Sequence, residues 1–294
     1  MSISSLIKQK IKIKLDMLVN REWEVIRVDW YSATDNVGDI LNYTLVKGLT
    51  GKRVIQVSSK SFFHKHYFVI GSLLDRANRN TEVWGSGFIS KDSLCDEPPR
   101  KVFAVRGPKT RELLLNQGID CPEVYGDPAL LMPYIFNPKI KKTYKLGIIP
   151  HYVDKQNSCF EKFKSNPDCL IIDIQDPNPY NFLIKLMSCE MILSSSLHGI
   201  ILADAYGIPS QWVKMSEKVL GGHFKFQDYY LSVNRKQKHF VMTRKELSQL
   251  KDIEIIREYI GLPTTEFDPS GLLAACPFTI NLQVPRSERK INVQ

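Results

Sequence analysis

The chain has 294 residues, of which 43% are hydrophobic, so it is long enough to bury the cores of two ordinary domains. Its 40 basic and 31 acidic residues give a net charge of +9, which favours anionic partners such as phosphorylated substrates, a membrane surface or nucleic acid. The sequence lacks interleaved aromatic and arginine residues, which argues against a nucleic-acid platform. Its 6 cysteines are scattered and form neither a disulfide framework nor a zinc pattern.

Residues 1–22 form a basic leader in which lysines alternate with isoleucine and leucine. As a helix, this leader places Leu6, Ile13 and Met17 on one face with lysines beside them, as in helices that lie on anionic membranes. The alternative is a solvated leader that docks on its own domain. The leader lacks the unbroken apolar core of a signal peptide, and no segment is long and apolar enough to span a bilayer. We therefore expect a cytoplasmic protein, with peripheral contact at the inner face of the membrane as one possibility.

Strand-like and helix-like segments alternate along the chain, which favours an α/β architecture. We assign residues 23–138 to an N-terminal α/β domain. Its expected strands are Val25–Trp30, Val54–Val57, Tyr67–Ile70, Glu82–Trp84 and Lys101–Val105.

A polar turn follows the first strand and contains Asn36, Gly38 and Asp39, before an amphipathic helix expected over Ile40–Leu49. Ligands bind at such turns in open α/β sheets. A single glycine does not make a dinucleotide fingerprint. Asn36 is a candidate for substrate binding. Asp39 is either a functional carboxylate or only a helix-initiating one.

Two later turns of the first half also carry candidate residues. Gly87 lies in the flexible turn Gly85–Phe88, where a ligand can approach the backbone closely. Arg106 stands at the expected carboxyl end of a strand and can bind a phosphate or carboxylate with two hydrogen bonds; a surface ion pair is the alternative. Asp127 is fixed ahead of a proline.

Residues Tyr134–Lys142 lose periodicity and are the expected linker to a second α/β domain over residues 139–262. A helix is expected over Pro179–Met187 with Asn178 as its N-cap, and one or two closing helices over Arg244–Ile260. Residues 263–294 are the expected tail. The strands of this half are expected at Lys145–Ile149, Cys169–Ile174, Met191–Leu193 and Gln211–Val213.

The stretch 191–209 combines the end of a strand, a serine turn and an apolar helix with Ser196 as N-cap and Gly207 as its stop. Its helix N-terminus suits an anion. Hydroxyl groups of Ser194, Ser195 and Ser196 and the imidazole of His198 lie at this mouth. The alternative is an ordinary capping turn with a satisfied histidine. Two further candidates, His151 and Lys214, follow strands expected to end nearby.

The glycine-hinged, aromatic and basic segment 221–230 carries Lys225. We expect it to be either a mobile lid over the cleft or a docking segment whose aromatic side chains fill the core.

Six motifs in this order closely resemble the polysaccharide pyruvyl transferase family, from about residue 28 to about residue 235. They are NVGD (36–39), WGSGF (84–88), VRGPKT (105–110), YGDPALL (125–131), GIIPHY (147–152) and SSSLHG with ADAYGIP (194–209). The resemblance implies two Rossmann-like domains facing across a cleft, as in GT-B-like glycosyltransferases. It also implies transfer of the pyruvyl unit of phosphoenolpyruvate onto two hydroxyls of a sugar or lipid-linked oligosaccharide. The products are a cyclic ketal and phosphate, and neither a cofactor nor a metal is needed.

The family resemblance makes His198 the acid/base, with Asp39 orienting or deprotonating the acceptor hydroxyl. The donor would lie between the serine turn and Arg106. Many relatives have an arginine where this chain has Ser196, and the sequence leaves open whether Lys214, Lys225 or Arg111 replaces its charge. Two other classes remain open: a nucleotide-sugar-dependent glycosyltransferase of the same fold, and a non-catalytic carbohydrate- or phosphate-binding protein.

Overall fold

The computed structural model describes residues 25–60, 64–250, 252–262 and 265–281. The basic leader of residues 1–22 lies outside this part of the chain, so the expectation of membrane contact is untested. No helix within the described part is long and apolar enough to cross a bilayer.

The first half folds as a five-stranded parallel sheet with the strand order β2-β1-β3-β4-β5. Each predicted strand is confirmed to within three residues at its ends. The strands are β1 (Val25–Asp29), β2 (Arg53–Val57), β3 (His66–Phe68), β4 (Thr81–Trp84) and β5 (Lys101–Ala104), and the helices are α1 (Val37–Thr50) and α2 (Pro108–Asn116).

The second half repeats this plan in another five-stranded parallel sheet, with the order β10-β9-β8-β6-β7. Its strands are β6 (Tyr144–Ile149), β7 (Cys169–Ile171), β8 (Cys189–Ser194), β9 (Ser210–Lys214) and β10 (Met242–Thr243). Its helices are α3 (Glu161–Lys164), α4 (Pro179–Met187), α5 (Leu197–Ala205), α6 (Gly222–Ser232), α7 (Arg244–Gln249) and α8 (Ile253–Ile260). Short 3₁₀ segments cover Leu74–Arg76, Pro128–Tyr134, Tyr152–Asp154 and Ser158–Phe160.

Local signals set the ends of these helices. Asn178 accepts hydrogen bonds from the first-turn N–H groups of α4, as expected of an N-cap. Helix α1 begins at Val37, three residues earlier than expected, because Asn36 caps it by accepting from the Gly38 N–H. Gly207 ends α5 with a φ of +63°, a backbone conformation that glycine adopts without strain.

The strand orders place a topological switch point in each sheet. The chain reverses direction across the sheet between β1 and β3 in the first unit, and between β6 and β8 in the second. Loops at the carboxyl ends of such strand pairs diverge and leave a crevice, where ligands bind in open α/β sheets.

Helix α6 covers most of the segment 221–230, for which a mobile lid and a docking segment were the two alternatives. Phe226 and Tyr229 are fully buried, and Phe226 stacks on Trp212 of β9 with a centroid distance of 4.0 Å. The aromatic side chains thus fill the core, as the second alternative expects, although the segment is a helix and not a loop.

The described part of the tail returns to the first unit. It contains helix α9 (Pro269–Ala274), where sequence periodicity indicated no element. The Trp84 indole N–H donates to the Leu272 carbonyl at 2.9 Å, and Phe278 packs edge-on against Tyr67. The tail thus completes the core of the first unit.

A buried ion pair joins α6 to the first unit. The Asp228 carboxylate, fully buried, accepts from Arg106 Nε at 2.9 Å and from the backbone N–H of Thr110 at 2.9 Å. It therefore both neutralises a buried arginine and caps the N-terminus of α2 from another part of the chain.

We expect Asp228→Ala to lower the free energy of unfolding by about 3–5 kcal/mol, because it leaves the Arg106 guanidinium buried without its carboxylate. Urea unfolding measures this loss. The matched control is Glu217→Ala, which removes an exposed carboxylate paired with Lys214 and should cost less than about 1 kcal/mol. Equal losses in the two variants would contradict the structural role assigned to Asp228.

Candidate active site

One large cavity of about 1040 Å³, here called the cleft, lies where the two switch points meet. The first unit contributes loops that follow β1, β2 and β3. The second contributes the loops after β6 and β8 together with the first turns of α6. Residues from both sheets line the cleft, so the position expected for a ligand in each unit is shared between them.

Two helix N-termini open onto the cleft. Asn36 and Ser196, the N-cap residues of α1 and α5, both line it. The Val37 N–H donates to the Ile174 carbonyl of the second unit at 2.8 Å, which ties the start of α1 to that unit. The first N–H groups of α1 are already bonded, so α1 contributes only its dipole. The dipoles of the two helices both favour negative charge, so this end of the cleft suits an anion.

His198 packs directly on Gly38. A Cβ built on Gly38 would lie only 2.0 Å from His198 Nδ1, closer than any non-bonded contact allows. The glycine of the NVGD motif and the histidine of the SSSLHG motif are therefore parts of one contact.

Asp127 lies behind the other edge of the imidazole. Its Oδ2 is 3.9 Å from His198 Nε2, beyond hydrogen-bond length, and that nitrogen is enclosed with no hydrogen-bond partner among the described residues. Burial, followed by the charge of Lys225, lowers the pKa of His198 to about 3, whereas burial raises the pKa of Asp127 to about 7. The free protein thus holds a neutral imidazole at pH 7.

Sequence reasoning missed Asp127 as a site residue. The signal available was its place before Pro128, where it caps the 3₁₀ segment by accepting from the Ala129 N–H at 2.9 Å. A cap alone did not indicate contact with a histidine that follows much later in the chain.

Asp39 and Lys225 both line the cleft, in agreement with their choice as site residues. Burial raises the pKa of Asp39 to about 7, although a hydrogen bond from the Tyr31 backbone and the nearby Arg76 and Lys225 charges act against it. Burial, followed by the Arg106 charge, lowers the pKa of Lys225 to about 8. No hydrogen bond or ion pair joins the Lys225 ammonium to any described residue, so it is free to bind an anionic ligand.

Arg106 was expected to face the substrate, but it does not line the cleft. Its side chain is 1% exposed, and besides Asp228 it donates to Ser72 Oγ at 2.7 Å and to the Phe88 carbonyl at 2.6 Å. Ser72 itself lines the cleft. The guanidinium therefore lies one layer behind the wall, where its charge still acts on His198 and Lys225.

The three serines have different surroundings. Ser194 Oγ donates to the Ile149 carbonyl at 3.0 Å and accepts from the Ser196 N–H at 3.0 Å. Ser195 Oγ accepts from the His151 N–H at 2.8 Å. Only Ser196 lines the cleft, and its hydroxyl makes no capping hydrogen bond. The hydroxyls of Ser194 and Ser195 thus hold the turn together instead of facing a ligand.

The four remaining candidates also divide into a residue that lines the cleft and residues that do not. His151 lines the cleft, and burial lowers its pKa to about 4. Gly87 supports Arg106, since a Cβ there would lie 2.6 Å from the guanidinium carbon. Lys214 pairs with Glu217 at 2.7 Å and lines a separate cavity of about 210 Å³. Arg111 pairs with Glu123 and does not line the cleft.

Two parallel-sheet α/β units that line one cleft define a class of α/β proteins whose ligands bind at the carboxyl ends of the strands. The sequence profile of the polysaccharide pyruvyl transferase family matches residues 36–214. The chain belongs to this family, as its motifs indicated.

Two relatives are consistent with this assignment. The chain is 28% identical over 250 residues to the uncharacterized protein L143 of Acanthamoeba polyphaga mimivirus, which covers 83% of this chain and 85% of that protein. It is 26% identical over 211 residues to the succinoglycan biosynthesis protein ExoV of Rhizobium meliloti strain 1021, covering 68% of this chain and 62% of that protein.

Gly38→Ala should displace the His198 ring and lower the free energy of unfolding by about 1–3 kcal/mol, as overpacking does. Chemical unfolding and the NMR shifts of the His198 ring measure the two effects. The matched control is Gly271→Ala in α9, where nothing lies within 4 Å of the added methyl group, so stability should stay within about 1 kcal/mol of wild type. Unchanged His198 shifts in Gly38→Ala would contradict the contact.

Asp127→Asn should become more stable relative to wild type as the pH rises from 4 to 8. In wild type, the unfolded chain ionises Asp127 near pH 4 while the folded protein holds the proton until about pH 7, so stability is lost across that window. The asparagine cannot ionise and still accepts from Ala129. The expected gain is on the order of a few kcal/mol, measured by urea unfolding at each pH. A stability difference that does not change with pH would exclude a buried proton on Asp127.

Proposed function

We propose that the protein transfers the pyruvyl group of phosphoenolpyruvate onto two hydroxyls of a sugar in a polysaccharide or its lipid-linked precursor. The observation that carries this proposal is the unpartnered Lys225 ammonium, which shares one cleft with neutral His198, Asp39 and two helix N-termini. The family assignment supports a pyruvyltransferase role, and the relative ExoV is a succinoglycan biosynthesis protein.

The donor would bind at the anion-suited end of the cleft. Phosphoenolpyruvate carries a phosphate and a carboxylate on three carbons, and these groups need several positive partners close together. Lys225, the N-terminus of α5 at Ser196 and the N-terminus of α1 at Asn36 supply them. Of the three cations considered as replacements for the arginine of many relatives, Lys225 is the one that lines the cleft.

The proposed reaction forms two new C–O bonds at C2 of the donor, first by addition and then by substitution. A proton is added to C3, which becomes a methyl group, while a sugar hydroxyl oxygen bonds to C2 and gives up its proton to a base. The second hydroxyl then bonds to C2 as the C2–O bond to phosphate breaks. The products are the cyclic ketal and inorganic phosphate, which carries away the second hydroxyl proton.

The pKa values suit a division of labour between His198 and Asp39. In the free protein, burial and the neighbouring cations keep His198 neutral. An anionic donor would neutralise those cations and raise the pKa of His198, so that it gains the proton it delivers to C3. Asp39, with a pKa of about 7, is poised to accept the proton of the acceptor hydroxyl near neutral pH.

The arrangement of the two units, the cellular location and the cofactor requirement are part of the same proposal. Two Rossmann-like units that line one cleft favour a GT-B-like arrangement. A cytoplasmic enzyme working at the inner face of the membrane fits the basic leader and a lipid-linked acceptor. The reaction as proposed needs neither a nucleotide nor a metal cofactor.

Incubating the protein with phosphoenolpyruvate and galactose, glucose or mannose glycosides tests the proposal. Phosphate release and a new ketal methyl signal in proton NMR should appear together, and His198→Ala should abolish both. Thermal protection by a nucleotide sugar but not by phosphoenolpyruvate would instead support a glycosyltransferase. Phosphoenolpyruvate binding without turnover on any acceptor would support a non-catalytic binding protein.

Lys225→Met should lower kcat/KM for phosphoenolpyruvate by about 10- to 100-fold, because one charged contact to the donor is lost. Lys225→Arg should recover part of this loss, since it restores the charge. The control is Lys238→Met, which removes an exposed lysine outside the cleft. Phosphate release kinetics measure all three variants, and wild-type kcat/KM in Lys225→Met would refute the donor site.

A further inference from the structure

The cleft is larger than a three-carbon donor requires. At about 1040 Å³ it has the size of pockets that enclose drug-sized ligands. Beyond the end formed by Ser196, His198 and Lys225, it extends over the carboxyl ends of β1 and β2. We call this second end the Arg76 corner and define it by the lining residues Trp30, Tyr31, Gln56, Asp75 and Arg76.

Arg76 is fixed in place with unused donors. Its Nη2 donates to both oxygens of the buried Asp29 carboxylate, at 2.7 and 2.6 Å. The Ser59 N–H also donates to Asp29, at 2.7 Å, which holds the acceptor in turn. The remaining guanidinium nitrogens, Nε and Nη1, bond to no described residue, and Nε is enclosed. A rigid planar group with spare N–H donors therefore borders the cleft.

Asp75 places a carboxylate beside these donors and also lines the cleft. Its Oδ1 is enclosed, so Oδ2 is the oxygen left to meet a ligand. Although Asp75 and Arg76 are neighbours in the chain, no ion pair joins them in the structure. Asp75 Oδ2 and Arg76 Nη1, which are not enclosed, can therefore accept from and donate to the polar groups of a ligand.

The mixture of donors and acceptors favours hydroxyl groups over an anion. A hydroxyl donates and accepts at once, so a pair of hydroxyls can donate to Asp75 and accept from Arg76. A phosphate would be repelled by the Asp75 carboxylate, and Asp29 already neutralises the charge of Arg76. The corner is therefore suited to a neutral polyol and poorly suited to a phosphate.

Aromatic side chains border the same corner. Tyr31 is 43% exposed, and the half-buried Trp30 also lines the cleft. Their apolar faces match the C–H face of a sugar ring, which buries apolar surface while its hydroxyls stay bonded at the edge.

Asp39 connects the two ends of the cleft. Its carboxylate lies within the electrostatic influence of Arg76 on one side and of Lys225 on the other. A sugar in the Arg76 corner and a donor at Lys225 would thus both lie next to this carboxylate.

We propose that the Arg76 corner is the acceptor subsite, which binds a neutral sugar through a hydroxyl pair between Asp75 and Arg76 and through stacking on Tyr31. This inference rests on the proposed function for the role of the sugar as acceptor. The binding of sugar at this corner is independent of the donor chemistry.

Saturation-transfer NMR of the full chain with methyl glycosides of galactose, glucose and mannose tests the subsite without any donor. At least one glycoside should receive saturation from the wild-type protein. Asp75→Asn should weaken its affinity by about 10-fold or more, since a hydrogen bond to a charged acceptor is lost. Tyr31→Ala should abolish the signal, and Tyr31→Phe should keep it. Thermal unfolding of each variant confirms that it is folded.

The controls separate this proposal from the proposed function. Asp120→Asn, which removes an exposed carboxylate outside the cleft, should bind sugar as wild type does. One outcome separates the two proposals: sugar binding depends on Asp75, but no phosphate is released from phosphoenolpyruvate. It would contradict the proposed function and support the subsite. The subsite is overturned if none of the three glycosides binds. It is also overturned if Asp75→Asn and Tyr31→Ala bind sugar as well as the wild-type protein does. Preferred binding of a sugar phosphate that is indifferent to Asp75 overturns it as well.

Discussion

The contact between Gly38 and His198 is the constraint around which the cleft is built. It requires the start of α1 in one unit to meet the start of α5 in the other with no side chain between them. The bond from the Val37 N–H to the Ile174 carbonyl holds the same approach. Two positive helix ends converge there. They favour the neutral form of the buried imidazole, and they also favour an anion nearby.

Electrostatics in the cleft follow from this convergence. Cations gather around His198, with Lys225 in the wall and Arg106 one layer behind it. Burial raises the pKa of two carboxyl groups of this region, Asp39 and Asp127, to about 7. Groups that titrate near neutrality are thus produced mainly by burial.

Much of the architecture could be predicted from the sequence because the strands are β-branched runs bounded by turns, a local signal. The two-residue strand β10 and helix α9 were missed because they are too short to show a period. The segment of helix α6 was left with two alternatives because its two leading glycines indicated a hinge, whereas its aromatic residues are held by Trp212 of a distant strand.

The site was predicted less completely, for a related reason. His198, Asp39 and Lys225 were found because they follow strands or carry charge in a segment of suitable composition. Arg106 was placed against the substrate because its partner, Asp228, lies 122 residues away and gives no local signal. The role of Asp127 depends in the same way on a histidine brought close only by folding.

Helix α6 has a mechanical consequence. It stacks on β9 of the second unit and is bonded through Asp228 to the first, so separating the units would expose a buried ion pair and an aromatic stack. Separating the two units is therefore costly, and the lysine that α6 carries lies on a helix attached to both units. Such a cleft is pre-organised: the ordering of its charged groups is completed during folding and need not be repeated at each turnover.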